Sequence, residues 1–384
     1  MGQAKRLGVA GLCATAVTFG PARTGFGLFL PYFREDFLLS TTTLGFIASG
    51  LYAGYLIALS AVGLLSTRIG PRPPVVIGVV SAGLGMGLVA LATNAVVLAA
   101  GVVLAGTGAG WTWAPFNDAT EHVTARSRDR VLSVVSTGTT FGILAAGVLA
   151  LAMGDNWRAA WTAFAVAAGA AVVPNLVVLP DATDVGSRRP AGWTWLLRTE
   201  AVPLAVVASS FGVINAFYFA FAVDAVAEAG ELPRAIVGGI LFAVIGAAGF
   251  VGLFTGAGVA RFGLGRVLTV TLASLGVASL LIGVAPGHLP SAIVSAALFG
   301  AGVMVMSASL SIWSSSVFAE QPTAGFSAAL FVFGVGLVAG PAVLGALAGV
   351  HGLASSFLVA AALMLPTMVA RPRHGDRPSR ELTS

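Results

Sequence analysis

Charge is what this sequence has least of: only 9% of its 384 residues are Asp, Glu, Lys or Arg, where an ordinary soluble domain carries about 25%. A chain so poor in polar surface cannot stay in water, and a mean hydropathy of +0.94 assigns it to the bilayer. Cysteine is nearly absent. Cys13 stands alone, which excludes a disulfide framework and a thiolate metal site, since both need several thiols. Four scattered histidines leave no metal cluster. The phosphate-binding pattern of Gly, four residues, Gly, Lys and Ser or Thr is missing, which argues against an ATP-driven pump. The apolar stretches contain no Ser-His pair, paired Asp or zinc motif for intramembrane proteolysis. No enzyme and no cofactor is therefore expected. Fifty glycines show no period of three, and the ten-residue alternation of barrel strands is absent.

What is present is a succession of apolar stretches long enough to span. A spanning helix needs about 20 apolar residues, and the chain divides into twelve such stretches: 7–30, 42–65, 74–93, 96–117, 131–153, 159–179, 201–226, 235–258, 267–285, 290–313, 325–348 and 354–370. The expected fold class is an all-α membrane protein with twelve transmembrane helices. The first stretch reads as a span rather than a signal peptide, because Pro21 and Arg23 interrupt it and eleven more follow.

Basic residues stay on the cytoplasmic side during insertion. With the N-terminus inside, sixteen of the twenty fall in cytoplasmic segments: Lys5, Arg6, Arg68, Arg72, Arg126, Arg128, Arg130, Arg188, Arg189, Arg198, Arg261, Arg266, Arg371, Arg373, Arg377 and Arg380. The opposite side holds Arg34, Arg158 and Arg234. Both termini are thus expected in the cytoplasm. The pI near 10.1 follows from this sidedness and is no nucleic-acid footprint.

The longest polar connection, "PDATDVGSRRPAGWTWLLR", divides the spans six and six. The expected organisation is an N-terminal bundle (1–180), a cytoplasmic linker (181–200), a C-terminal bundle (201–370) and a cytoplasmic tail (371–384). The halves repeat at an offset near 192 residues. Phe19, Gly20, Arg23 and Phe26 match Phe211, Gly212, Asn215 and Tyr218; Arg68 and Gly70 match Arg261 and Gly263; Gly106 and Gly108 match Gly300 and Gly302.

Arg23 is the one basic residue that sidedness does not place. Sixteen residues beyond Leu7, it lies roughly 24 Å into its span, where an Arg costs about 2.5–3.5 kcal/mol. It must therefore face a polar cavity or a partner. A guanidinium fork suits a carboxylate or phosphate, so an anion anchor is one reading; an internal pair with an acid or with helix carbonyls is the other. Asn215 occupies the repeat-related position, with Tyr218 one turn on. Tyr52 and Tyr55 in the second span and Trp111 in the fourth complete the substrate-binding candidates, because repeat transporters bind near the midplane between the halves. Asp224, late in the seventh span, reads as solvated at the outer rim. Asp118 and Glu121 end the fourth span at the cytoplasmic rim and are read as gate partners of Arg68 and Arg72. Ser309 and Trp313 in the tenth span are weaker wall candidates.

The turn after the second span carries the strongest resemblance to a known family. Gly63, Arg68, Gly70 and Arg72 follow the pattern Gly, three residues, Asp, Arg, one residue, Gly and basic residues of the major facilitator superfamily, with Thr67 where that family has Asp. Val102 stands at its fourth-helix Arg, and Ile143 at the Pro of its antiporter pattern. More narrowly, "ARTGFGLFLP", "SGLYAGYLIA" and "WAPFND" are similar to the YbfB/YjiJ-like bacterial branch. The resemblance, over essentially the whole chain, implies two pseudo-symmetric six-helix bundles and a secondary active permease of the bacterial inner membrane. Such a carrier moves a small organic solute by alternating access, coupled to protons, as a monomer in the lipid bilayer. Arg23 makes an organic anion the leading solute. Drug or metabolite efflux by antiport is the alternative, and a receptor, sensor or channel the competing class. A sensor needs a signalling extension and a channel a continuous polar stripe, and neither is visible in the sequence.

Overall fold

The computed structural model describes residues 2–120, 124–180, 201–230, 232–320 and 322–370. The expected linker 181–200 and tail 371–384 lie outside them. Within the described residues the chain is helical, with no strand: α1 Gln3–Phe19, α2 Pro21–Leu28, α3 Leu30–Asp36, α4 Thr41–Ile69, α5 Arg72–Ala90, α6 Ala95–Ala119, α7 Ala125–Met153, α8 Trp157–Val178, α9 Val202–Ala229, α10 Arg234–Gly249, a 3-10 segment Phe250–Phe254, α11 Thr255–Phe262, α12 Leu264–Val284, α13 Leu289–Val317, α14 Pro322–His351 and α15 Leu353–Thr367. Ten helical stretches are long and apolar enough to cross a membrane. The first and twelfth expected spans differ: the first is cut into α1, α2 and α3, and the last is α15, 15 residues long.

Local chemistry explains the cuts in the first span. Gly20 (φ −76°, ψ −112°) leaves the helical region, and Pro21, which has no N–H to donate, opens α2. Phe29 (φ −110°, ψ 12°) ends α2, and α3 again has a proline in its first turn. Arg23 consequently sits in the first turn of a short helix of its own rather than deep in a long one.

The four glycines of positive φ fall into repeat pairs. Gly70 (72°) and Gly263 (83°) follow the second and eighth spans, and Gly154 (58°) and Gly352 (84°) follow the fifth and eleventh. Packing repeats in the same register. A methyl group built on Gly20 would stand 2.7 Å from Gly142 Cα of α7, and one on Gly212 3.0 Å from the Gly336 carbonyl carbon of α14. Gly106 sits against the Leu51 carbonyl of α4, and Gly300 against the Ile245 carbonyl of α10. Bare backbones let these helices approach closely, and the same approaches occur in both halves.

Two seams join the halves, α4 on α14 and α7 on α10. On the first, Gly349 meets Thr42, Gly345 meets Gly45, and Gly334 meets Leu56. On the second, Gly239 meets Leu151 and Gly147, and Gly249 meets Thr140. These approaches run from the end opposite the termini, here the far end, to about the middle of the helices. At the terminus-bearing end Leu65, Phe254 and Phe262 are exposed. The molecule is closed at its far end.

Candidate functional site

Arg23 projects into a ring of aromatic side chains. Its guanidinium carbon lies 5.1 Å from the Tyr55 ring centre, 5.6 Å from Phe19, 5.7 Å from Tyr52 and 5.9 Å from Phe333. Elements from both halves build this ring: α1 gives Phe19, α4 the two tyrosines one helical turn apart, and α14 gives Phe333. Phe333 is held in turn by Phe211 of α9, stacked at 4.9 Å, so the repeat-related Phe19 and Phe211 flank one site.

The electrostatics are one-sided. Each ring face attracts the cation by about 0.5–2 kcal/mol, which offsets part of the cost of holding a guanidinium at this depth. No printed ion pair among the described residues involves Arg23, and its Nη2 is buried without a hydrogen-bond partner. The N-terminal turn of α2 adds the positive end of its dipole. Two positive contributions and a free buried donor ask for an anion. Beside Arg23, a void about the size of one water molecule is lined by Thr24, Phe26, Leu51, Tyr52, Phe219 and Ala220.

Of the residues singled out in the sequence, Arg23, Tyr52 and Tyr55 come together. Asn215 is buried on the same face of α9 as Phe211 and Phe219, which places it beside this region. Tyr218 turns the other way. Its hydroxyl is 2.7 Å from Ser295 Oγ, its ring stacks on Phe299 at 3.7 Å, and Ser295 donates to the Ala278 carbonyl, so Tyr218 is tied into α12 and α13. Trp111 leaves α6 toward Gly78 of α5, away from Arg23, whereas Trp113 meets Phe19 edge-on at 6.2 Å. Ser309 and Trp313 are fully buried. The exposed hydroxyls of α13 are Ser307, Ser311 and Ser315. Ser311 follows Gly302, which touches Leu275 of α12, by nine residues or two and a half turns, and so faces the opposite way.

At the expected gate, Arg72 Nε donates to the Leu179 carbonyl at 2.7 Å, tying α5 to the end of α8, and Asp118 is half-buried near the end of α6. Glu121 and the side chain of Arg68 lie outside the described residues.

The largest charged assembly is one that composition did not reveal. At the far end Arg34 of α3 pairs with Asp224 and, at 2.7 Å, with Glu228, both of α9, while Glu35 pairs with Arg234 of α10. Asp224 is 1% exposed, so it is a buried ion-pair partner and not a solvated rim residue. The reason is the cut at Phe29, which folds α3 over the end of α9. Asp36 accepts from Trp157 Nε1 at 2.8 Å and meets Arg158 at 3.5 Å; Arg158 lies 4.0 Å over the Trp157 ring and donates to the Ala92 carbonyl. Tyr32 donates to Asp155 at 2.9 Å, and burial together with that carboxylate raises its phenol above the usual value. Arg234 lowers the Glu35 carboxyl below its usual range.

A family model settles the relationship. The Major Facilitator Superfamily model matches residues 12–324. This chain belongs to the Major Facilitator Superfamily. It is a multi-pass membrane transporter and not an enzyme. Comparison with curated protein sequences finds no match. Among solved structures, a point mutant of the nucleoside transporter NupG is similar with a TM-score of 0.76 at 12% identity, over 95% of this chain and 98% of that one. A bacterial homologue of the human lysosomal transporter Spinster, inward-facing and unoccupied, also gives 0.76 at 14% identity, over 99% of each chain. A POT family transporter in complex with 5-aminolevulinic acid gives 0.75 at 12%, over 94% of each. At such identities the likeness is one of fold.

Proposed function

We propose that this superfamily member is a proton-coupled carrier of a small organic anion with an apolar or aromatic body. The carrying observation is Arg23: a guanidinium with an unpartnered buried nitrogen, ringed by Phe19, Tyr52, Tyr55 and Phe333 from both halves. The anionic group occupies the free fork and the rings cover the remainder. Asn215 adds a polar group from the second half. The excess of basic residues at the terminus-bearing end supports a bacterial inner-membrane topology with both termini cytoplasmic, so the far end faces outward and this conformation opens inward. The carrier works as a monomer, and the three segments quoted above support the YbfB/YjiJ-like branch.

The test is thermal stabilisation of the purified, reconstituted protein by a panel of organic anions, cations and drugs. A ligand at a hundred times its Kd stabilises by about 2.7 kcal/mol. Anions are expected to stabilise the parent, Arg23→Lys less because the bidentate fork is lost, and Arg23→Ala not at all. Equal stabilisation of parent and Arg23→Ala by the same anion overturns the anchor, and stabilisation by cations alone puts cation efflux in its place. Substrate-driven pH change in proteoliposomes, abolished by a protonophore, is the expected sign of coupling.

A further inference from the structure

The far-end assembly holds one carboxylate too many. Arg34 meets both Asp224 and Glu228, and the Glu35–Arg234 pair leaves the surplus unchanged: two guanidiniums face three carboxylates. Asp224 has one oxygen on Arg34 and the other, Oδ1, buried without a partner; Arg34 Nε is likewise buried and unpartnered. Ahead of Asp224, residues 214–223 of α9 are all buried and, apart from Asn215 and Tyr218, apolar. Each of these pairs joins α3 of the first half to α9 or α10 of the second. The far end cannot open without parting them. Parting strands a carboxylate in apolar surroundings, which is costly, and a proton removes that charge where the guanidinium left it.

We infer that Asp224 is the proton-binding group of this carrier and that opening of the far end takes the proton up. The inference rests on the proton-coupled reading above and is independent of what binds at Arg23. In the closed state Arg34 neutralises Asp224. In the open state an O–H bond does, formed with a proton from the far side, and the surplus negative charge disappears. The open state binds one more proton, so acid favours it. Other charged groups near Asp224 are Glu35 and Asp36 on α3, Glu228 on α9 and Arg234 on α10; α2 carries Arg23 deeper in. His288 and His351 lie exposed at the ends of α13 and α14 on this side, while α4, α12 and α15 bear no charge here.

Spin labels at Leu38 and Leu232, both exposed at the far end and on opposite halves, read the opening in the intact chain with Cys13→Ser, in lipid nanodiscs. Between pH 8 and 5 the longer distance is expected to gain on the shorter by up to about tenfold per pH unit. Asp224→Asn should hold the longer distance at both extremes, and the double change His288→Gln, His351→Gln should keep the parental response. A parent without a pH response, an Asp224→Asn protein that keeps it, or a double histidine variant that loses it overturns the inference. Should Asp224→Asn not fold, Glu228→Gln, at a half-exposed position, removes the surplus and should move the midpoint to lower pH; an unmoved midpoint overturns it equally. Ligand stabilisation is read separately. Its absence beside an intact pH response sinks the anion reading alone, and its presence beside a missing pH response sinks this inference alone.

Discussion

Gly27 offers a direct measure of how tightly the far end is shut. It lies where α2 crosses α9: a methyl group built there would overlap the Phe219 carbonyl oxygen and stand 3.0 Å from Ala220 Cα. These are backbone atoms that cannot turn aside. Overpacking of this kind costs about 1–3 kcal/mol, and because α2 and α9 belong to opposite halves, the cost falls on the far-end-closed state alone. Alanine favours a helix over glycine by about 1 kcal/mol, so Gly27→Ala is expected to leave α2 folded. The closed-to-open ratio should therefore move roughly 5- to 150-fold toward open. Two residues earlier, a methyl on Gly25 would rest 3.4 Å from the Trp161 ring, an ordinary contact within the first half. Gly25→Ala is the matched control. A cysteine at Leu51, 2% exposed and lining the void beside Arg23, in a Cys13→Ser background, reports opening through its labelling by a membrane-impermeant maleimide from the far side. Gly27→Ala should speed labelling by the stated factor and Gly25→Ala should not. Equal rates in the two variants refute the steric seal.

Tyr218→Phe removes a hydroxyl bonded to Ser295 and should lower thermal stability by about 0.6–1.5 kcal/mol while leaving anion affinity as it is; a lost affinity with unchanged melting would return Tyr218 to the substrate wall. Glu35→Gln tests the outermost pair. Because Arg234 depresses the Glu35 carboxyl, its contribution is present above the unfolded Glu value of about 4.3 and is lost as pH falls through the lower folded value. The melting difference between parent and variant should hold from pH 8 to 5 and vanish below about pH 4; a difference that grows on acidification contradicts the pairing. Gly142→Ala, whose methyl would enter the Ala16 carbonyl of α1, should destabilise by about 1–3 kcal/mol. Gly169→Ala, with open space around it, should stabilise by up to about 1 kcal/mol, and a reversed order in their melting temperatures would count against the close α1–α7 approach.

The fold was legible because a bilayer leaves few choices. Twenty apolar residues without charge must form a helix there, so ten stretches could be counted directly. Duplication was legible for a related reason: glycines at close crossings tolerate no substitute, and Gly20, Gly106, Gly212 and Gly300 keep their places in both halves because each meets the backbone of a neighbour. Arg23 stood out by cost alone. A guanidinium inside a span needs a compensating environment, and Tyr52 and Tyr55 supply one. The direction of a side chain around its helix was not legible. Trp111 and Trp113 differ by about 200°, and only the positions of α5 and α1 decide that Trp113 is the one facing Phe19.

Asp224 shows where counting along a chain fails. Depth at 1.5 Å per residue assumes one unbroken helix, and by that measure a residue late in the seventh span belongs at a wet rim. The assumption fails in the first span, where Pro21 and Pro31 each open a new helix and α3 swings across the end of α9. Prolines were visible; their consequence for a residue some 190 positions away was not, because it depends on packing between halves. The same break takes Arg23 off the axis of α1 and places its charge at the start of α2. One irregular crossing thus creates both the unpaired cation at the centre and the over-supplied carboxylates at the far end. The two are also joined physically. Gly27, between them on α2, carries the seal against α9, so a ligand that draws Arg23 inward pulls on the element that closes the far end, and parting of Arg34 from Asp224 frees the element that presents Arg23.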